Sequence, residues 1–140
     1  MSALQDIAVK VIGPGGLSGN VEALLHEIAT LLAALATEGR SSSIDLQGLP
    51  LTPADREYLR QRLGAGEVRA LVNALGPSEV RETAYRGVWW VTHRNAADEL
   101  CAELIEVTPV PQILLADRQE IVDALERLRL CLCDGAARGP

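Results

Sequence analysis

Two stretches of the sequence place apolar residues three and four positions apart, which is the spacing of one face of an α-helix. The first covers about residues 21–37, and Gly39 ends it. The second covers about residues 118–132, where Asp117 and Glu120 form a helix start signal. The apolar stripe of this second stretch consists of Ile121, Val122, Leu125, Leu128 and Leu132. The pattern therefore predicts two amphipathic helices, one in each half of the chain.

A third helix is predicted from its start signal. Thr52 fits the N-cap, Pro53 the first helical position and Asp55 the third, which together favour helix initiation. The predicted helix extends to about Leu63, and Gly64 ends it.

Residues 67–107 combine short apolar runs with turn signals, which predicts an antiparallel meander. The four predicted strands are residues 67–73, 79–85, 88–93 and 99–107. The predicted connections are a turn at 76–78, a tight turn at Arg86-Gly87 and a polar loop at 94–98. Residues 5–12 also read as a strand, followed by a glycine-rich loop at 13–16, and residues 43–46 form a short extended piece.

Helices and strands in separate blocks predict an α+β fold, with an antiparallel meander sheet of about four strands and helices packed on one face. The chain has 140 residues, which fits a single domain over residues 1–140. Within it, about residues 1–20 hold the N-terminal strand and glycine-rich loop, and residues 134–140 form a frayed tail.

Charge and the distribution of apolar residues together exclude nucleic-acid and membrane partners. Nineteen acidic residues against thirteen basic ones give a net charge of −6, so the chain lacks the basic stripe that a nucleic acid needs. No apolar run reaches the ~18 residues that span a bilayer, and the first six residues are polar and acidic, unlike a signal peptide. We therefore expect a cytoplasmic protein that binds no nucleic acid and does not insert into a membrane.

Motifs for catalysis and phosphate binding are incomplete. The glycine-rich loop at 13–16 follows a predicted strand, but Ser18 stands where a dinucleotide loop needs its third glycine. The chain has no Gly-x-Ser-x-Gly nucleophile motif, and a catalytic triad would have to use His26 or His93. We therefore predict that the chain is not an enzyme, has no catalytic residues and uses no cofactor.

His93 raises the question of a metal site, because it ends a predicted strand beside a polar loop. The acids that follow it are Asp98, Glu99, Glu103 and Glu106. A metal would need two or three of these carboxylates to converge on the imidazole. Cys131 and Cys133 point about 200° apart on a helix and cannot share a metal while helical. We predict no metal ligands, and the alternative function is a metal- or cluster-handling protein that uses His93 with nearby carboxylates.

Aromatic residues are scarce and clustered. The chain has two Trp, two Tyr and no Phe, and three of these lie between residues 85 and 90. A two-residue turn at Arg86-Gly87 would pair Tyr85 with Val88, Ala84 with Trp89, Thr83 with Trp90, and Arg81 with Thr92. This register places the two tryptophans on opposite faces of the sheet. One indole then packs under the helices, and the other is either open to a partner or covered within the monomer.

An open sheet face that carries a Trp and a Tyr beside an Arg has the composition of a protein-binding surface. The predicted partner-binding residues are Arg81, Thr83, Tyr85, Trp89, Trp90 and His93.

A known protein family contains six runs of this sequence in the same order. They are residues 43–53, 63–68, 75–83, 87–93, 103–107 and 110–114. The most specific run is Trp-Trp-Val-Thr-His at residues 89–93. On these runs the chain resembles the hydrogenase expression/formation protein family of the HupH/HyaF type, from about residue 24 to residue 130.

That family consists of accessory proteins for the assembly of nickel-iron uptake hydrogenases. The resemblance implies a non-catalytic maturation chaperone that binds a hydrogenase subunit, in particular the iron–sulfur small subunit, or another maturation factor. Family members commonly carry a second, diverged copy of this region, so a single-copy chain implies a homodimer in place of the internal pair. The family motif comprises Arg81, Glu82 and Thr83 with Trp89, Trp90 and His93.

Overall fold

A computed structural model of the chain describes residues 16–73 and 75–134. The predicted strand at 5–12, most of the glycine-rich loop at 13–16 and the tail beyond residue 134 lie outside the described residues. The chain forms two compact units, and the boundary between them falls between Pro109 and Val110.

Helix α1 covers Asn20–Glu38, which confirms the first predicted helix. Val21, Leu24 and Ile28 are buried along one of its faces. Gly39 ends the helix with a φ of 71°, a left-handed conformation that glycine adopts without steric cost.

The composition of α1 departs from one expectation. By length and composition alone, α1 is apolar enough to cross a membrane, whereas no such segment was expected from the sequence. Core helices of soluble proteins pass the same test. The buried face of α1 belongs to the apolar core of the first unit.

Helix α2 covers Pro53–Leu63 and begins with the predicted capping box. Thr52 Oγ1 accepts a hydrogen bond from Asp55 N–H at 3.0 Å, and the Asp55 carboxylate accepts one from Thr52 N–H at 2.9 Å. Asp55 is fully buried and also accepts hydrogen bonds from the backbone and hydroxyl of Ser18. Burial would raise the pKa of Asp55, but the hydrogen bonds from Ser18 and Thr52 outweigh it and hold the pKa below its ordinary value.

Five antiparallel strands form one sheet in the order β1-β5-β4-β3-β2. The strands are β1 (Ser42–Asp45), β2 (Arg69–Asn73), β3 (Pro77–Glu82), β4 (Val88–Arg94) and β5 (Leu100–Val107). The predicted α+β class and antiparallel meander are confirmed. The strand count exceeds the prediction by one because β1 pairs with β5 at the edge of the sheet.

The connection from β3 to β4 differs from the predicted hairpin. Val88 N–H donates to the Tyr85 carbonyl at 3.0 Å, so Arg86-Gly87 does form a tight turn. The strand ladder begins two residues earlier on β3, because Thr83 N–H donates to the Val88 carbonyl at 3.1 Å. Glu82, and not Tyr85, is therefore the last residue of β3.

Competing acceptors hold Ala84 and Tyr85 out of the ladder. Ala84 N–H donates to the Leu63 carbonyl at the end of α2, at 2.9 Å. Tyr85 N–H donates to Thr83 Oγ1 at 3.1 Å. Because both N–H groups are already bonded, Ala84 and Tyr85 join Arg86-Gly87 in a longer hairpin loop at residues 84–87.

The longer loop changes the register but not the faces. Arg81 pairs with Trp90 and Glu82 with Trp89, so the predicted pairs were wrong by two positions. Side chains alternate along a strand, and a two-residue shift returns each one to its original face. The predicted separation of the two tryptophans onto opposite faces is confirmed.

The helices α1 and α2 cover the face of the sheet that carries Trp90. The buried apolar cluster on this face consists of Val21, Leu24, Ile28, Leu46, Leu59, Leu63, Val88, Trp90, Ile105 and Val107. Its members come from both helices, from β4 and β5, and from the 3₁₀ turn at Leu46–Gly48. Aliphatic residues thus supply most of this core, with one indole ring among them.

The second unit contains a 3₁₀ turn at Gln112–Leu114 and helix α3, Arg118–Cys133. The predicted capping box of α3 is confirmed, since Asp117 and Glu120 exchange side-chain to backbone hydrogen bonds of 2.8 Å. No residue of α3 is buried.

Candidate partner-binding site

Trp90 lies in a polar clamp on the helix-covered face. The Arg60 guanidinium stacks over the indole ring, 4.8 Å from its centroid. The indole Nε1–H donates to Glu103 Oε2 at 3.0 Å. Glu103 in turn forms an ion pair with Arg56. The indole is therefore fixed on its face by a cation and at its edge by a carboxylate.

Local geometry explains why these four side chains meet. Arg56 and Arg60 are four residues apart on α2, so they project from the same face of the helix. Glu103 pairs with Thr92 across the sheet, which makes it a diagonal neighbour of Trp90. Glu103 is buried, with an exposed fraction of 7%, and the paired guanidinium of Arg56 offsets the cost of burying its charge.

Trp89 lies on the opposite face of the sheet and is also buried. Its exposed fraction is 6%, against 5% for Trp90. The Trp89 Nε1–H donates to the Thr108 carbonyl at 3.0 Å. The hypothesis of an open tryptophan is therefore wrong, because each indole N–H has an acceptor inside the chain and each ring is shielded from water.

Tyr85 is the exposed aromatic residue of the predicted site. It lies in the β3–β4 loop, with 54% of its surface exposed. It borders an apolar cavity of about 210 Å³ between α1 and the β3–β4 loop. The cavity is lined by Leu25, Ile28, Ala29, Leu32, Arg62, Leu63, Tyr85 and Val88.

Arg62 supplies the charge at the edge of this cavity. Its guanidinium donates to the Tyr58 hydroxyl at 2.8 Å and forms an ion pair with Glu22. The hydrogen bonds to Tyr58 and Glu22 raise the pKa of Arg62. The cavity therefore combines an apolar floor with an ion-paired guanidinium at its rim.

The remaining predicted residues serve different parts of the hairpin. Thr83 is buried, and its hydroxyl donates to the Val88 carbonyl at 2.9 Å, which closes the β3–β4 loop. Arg81 is half-buried on the Trp90 face. His93 is half-buried on the Trp89 face, with Nδ1 3.2 Å from Ser78 Oγ. The six predicted residues therefore do not form one surface.

Glu82, the acid of the family motif, has a structural position. It is buried, with an exposed fraction of 5%. It accepts a hydrogen bond from Glu67 N–H at 2.9 Å and forms an ion pair with Arg86 at 3.1 Å. These contacts tie the segment that precedes β2 to the β3–β4 turn.

The structure does not bring His93 to the carboxylates that the metal hypothesis requires. Over residues 16–73 and 75–134, no three His, Cys, Asp or Glu side chains are grouped closely enough to hold a metal ion. Cys101, Cys131 and Cys133 are free and exposed.

A second groove, of about 320 Å³, was not foreseen from the sequence. It extends from the polar clamp around Trp90 toward the β2 edge, and its lining includes Arg60, Leu71, Glu79, Arg94 and Leu100. Leu71 marks this groove in the structure, because it lies on the helix-covered face of the edge strand β2 and remains 76% exposed. The groove has both acidic and basic walls, so its charge does not select one class of ligand.

Comparison with known proteins agrees with the resemblance found in the sequence. Residues 19–133 match the family model described as "HupH hydrogenase expression protein, C-terminal conserved region". The chain is 40% identical over 96 residues to the hydrogenase expression/formation protein HoxQ of Azotobacter vinelandii, covering 69% of this chain and 33% of that protein. It is 36% identical over 110 residues to HupH of Rhodobacter capsulatus, covering 79% and 40%.

A solved structure shares the fold. The hydrogenase expression protein HupH from Thiobacillus denitrificans superposes with a TM-score of 0.81 at 44% identity. The match covers 84% of this chain and 98% of that one. The chain spans between 33% and 40% of the length of the two curated relatives described above. It belongs to the HupH family of hydrogenase expression proteins and contains the C-terminal conserved region of that family.

Proposed function

We propose that the chain is a non-catalytic accessory protein, a chaperone, for the maturation of a nickel-iron hydrogenase. Its partner is a hydrogenase subunit, in particular the iron–sulfur small subunit, or another maturation factor. Support comes from relatives that are named hydrogenase expression/formation proteins. The acidic charge of −6 and the absence of a basic stripe favour a protein partner over a nucleic acid. We place this activity in the cytoplasm.

We place the partner-binding surface around Tyr85 because an apolar cavity lies beside this residue. Both tryptophans are buried, so they support the hairpin from within and leave Tyr85 as its exposed aromatic group. Tyrosine at the rim of an apolar recess is typical of binding hot spots, because the ring gives apolar contact and the hydroxyl stays hydrated.

The chemistry of the recess indicates what it accepts. Leu25, Leu32 and Val88 offer an apolar floor large enough for one or two aliphatic side chains of a partner. Arg62 at the rim is already paired with Glu22, so apolar contact and not charge is the selective feature of the recess. We therefore propose that the partner inserts an apolar side chain beside Tyr85.

The test is capture of a purified small-subunit precursor by the whole chain, measured as a dissociation constant. Tyr85→Ala removes the rim, and Ala29→Arg fills the mouth of the cavity from an exposed position on α1. Both are expected to weaken binding by about tenfold or more. Thr30→Arg adds the same charge at an exposed neighbouring position that does not line the cavity, and is expected to bind normally.

The control separates two kinds of failure. If Ala29→Arg and Thr30→Arg weaken partner binding equally, the added charge is responsible. The cavity is then not the partner-binding site. Normal binding by Tyr85→Ala and Ala29→Arg would place the partner elsewhere. A wild-type chain that captures neither the small-subunit precursor nor another maturation factor would contradict the proposed function itself.

We also propose that the chain acts as a homodimer, which is what its resemblance to the family implies.

A further inference from the structure

Strand β1 leaves one edge of the sheet open. It pairs with β5 on one side, and within residues 16–73 and 75–134 no strand pairs with its other side. Ile44, on the helix-covered face of β1, and Leu31 of α1 pack against the apolar core but are only partly buried. At 100° per residue, Leu31 lies about 120° around α1 from the cavity-lining Leu25 and so points to the β1 side. The β1 edge therefore has room for a further strand with apolar side chains.

The sequence before residue 16 contains a segment with the pattern of an edge strand. We call residues 5–12 the N-terminal segment. It places Ile7, Val9 and Val11 at alternate positions, which gives a strand one apolar face. The positions between them are Asp6, Ala8 and Lys10. A strand of this kind covers a core on one side and meets water on the other.

The described part of the chain fixes the direction from which this segment arrives. The Gly16 carbonyl accepts a hydrogen bond from Thr52 Oγ1 at 2.6 Å, so the segment approaches from the start of α2. Helix α1 begins at Asn20 and is joined to β1 by residues 39–41, a connection that reverses the chain direction. A strand at residues 5–12, joined to α1 by residues 13–19, would therefore run parallel to β1. The N-terminal segment, α1 and β1 have the order of a βαβ unit.

The hand of crossover connections selects the β1 edge. Four successive antiparallel pairings make β1 parallel to β2, so β1, α2 and β2 form one crossover. Helices α1 and α2 lie on the same face of the sheet. Crossovers between parallel strands are right-handed in about 98% of cases, so two crossovers on one face advance in the same direction across the sheet. The advance from β1 to β2 leads away from the β1 edge, so a strand that precedes α1 belongs outside β1.

We infer that the N-terminal segment adds to the β1 edge as a sixth strand, parallel to β1, with its apolar positions under α1. Its polar positions then share the opposite face with Ser43 and Asp45, which are both exposed. Lys10, the chain's one lysine, lies on the same face as the Asp45 carboxylate, so the two charges are complementary. The added strand closes the β1 edge against pairing with another chain. The inference does not depend on which hydrogenase component the chain binds.

Amide hydrogen exchange of the whole chain tests the added strand. Wild-type residues 5–12 are expected to exchange about tenfold or more slower than the same sequence in an unfolded peptide. Val9→Asn places an amide group under α1 and is expected to remove this protection. Ala8→Asn places the same group on the outward face and is expected to keep it. The inference is overturned if wild-type residues 5–12 exchange like the unfolded peptide, or if the two variants are equally protected.

Disulfide formation tests the neighbouring strand and the copy that supplies it. In a background with the three native cysteines changed to serine, Ser43→Cys is combined in turn with Asp6→Cys, Ala8→Cys or Lys10→Cys. Adjacent strands lie about 4.8 Å apart, which a disulfide can bridge. One of these three positions is expected to link to position 43 within a single chain, whereas Val9→Cys, on the other face, is the control and is expected not to link. A link between two chains would assign the edge to a second copy, and no link from any of the three would place the segment elsewhere; either result overturns the inference.

Discussion

Helices α1 and α3 have the same kind of apolar stripe in the sequence and opposite burial in the structure. In α1, Val21, Leu24 and Ile28 are almost completely removed from water. In α3, no residue is buried, although its capping box is complete. Periodicity therefore defines a helix and the direction of its apolar face, whereas burial depends on what that face meets.

The largest expected effect is in α1. Leu24 is 1% exposed within the core, so Leu24→Ala is expected to lower the free energy of unfolding by about 2–5 kcal/mol through lost burial and a cavity. Urea denaturation at low protein concentration measures this. Leu125→Ala in α3 is the paired variant and is expected to cost less than about 1 kcal/mol there. If Leu24→Ala and Leu125→Ala lower the free energy of unfolding equally, the two helices do not differ in burial as described.

A smaller effect is expected at the start of α2. Asp55→Ala removes the acceptor for Thr52 N–H and for Ser18, and is expected to cost about 2 kcal/mol. The folded pKa of Asp55 lies below its ordinary value of 3.8. Its contribution to stability is therefore present above about pH 4 and lost as the pH falls through the folded pKa.

Asp55→Asn tests this sign. The variant is expected to be less stable than wild type at pH 7, and the difference should shrink as the pH falls below 3.8. Acid titration followed by circular dichroism measures both. A difference that grows toward low pH would contradict the assigned direction of the pKa.

The smallest effect is expected at the start of α3. Asp117 forms the same capping box as Asp55 but is exposed, and within residues 16–73 and 75–134 it accepts no hydrogen bond from a distant residue comparable to those from Ser18. Asp117→Ala is therefore expected to cost about 0.5–1 kcal/mol, less than Asp55→Ala. Thermal unfolding of the two variants side by side would show the order, and a reversed order would mean that tertiary contacts at Asp55 add nothing to the cap.

Local signals in the sequence predicted much of the fold. Thr52 with Asp55, and Asp117 with Glu120, predicted two helix starts because capping is a contact between residues three apart. The alternation of β3 and β4 separated Trp89 from Trp90 because side-chain direction depends on strand periodicity alone. The family motifs then indicated the class of protein.

The parts that failed depend on distant contacts. The β3–β4 loop begins at Ala84 because its N–H bonds to the Leu63 carbonyl at the end of α2, 21 residues earlier in the numbering. The burial of Trp89 and Trp90 likewise depends on contacts between separate elements. The polar clamp of Arg56, Arg60 and Glu103 joins helix α2 to strand β5. The cavity beside Tyr85 has no sequence motif, since its lining comes from α1, α2 and the hairpin together.

Hydrogen exchange of the chain with and without the small-subunit precursor shows where the partner binds. We expect added protection in the β3–β4 loop around Tyr85 and in the part of α1 that lines the cavity, with α3 unchanged by the partner. Added protection confined to α3, with none at the loop, would contradict the claim that the cavity beside Tyr85 is the partner-binding site.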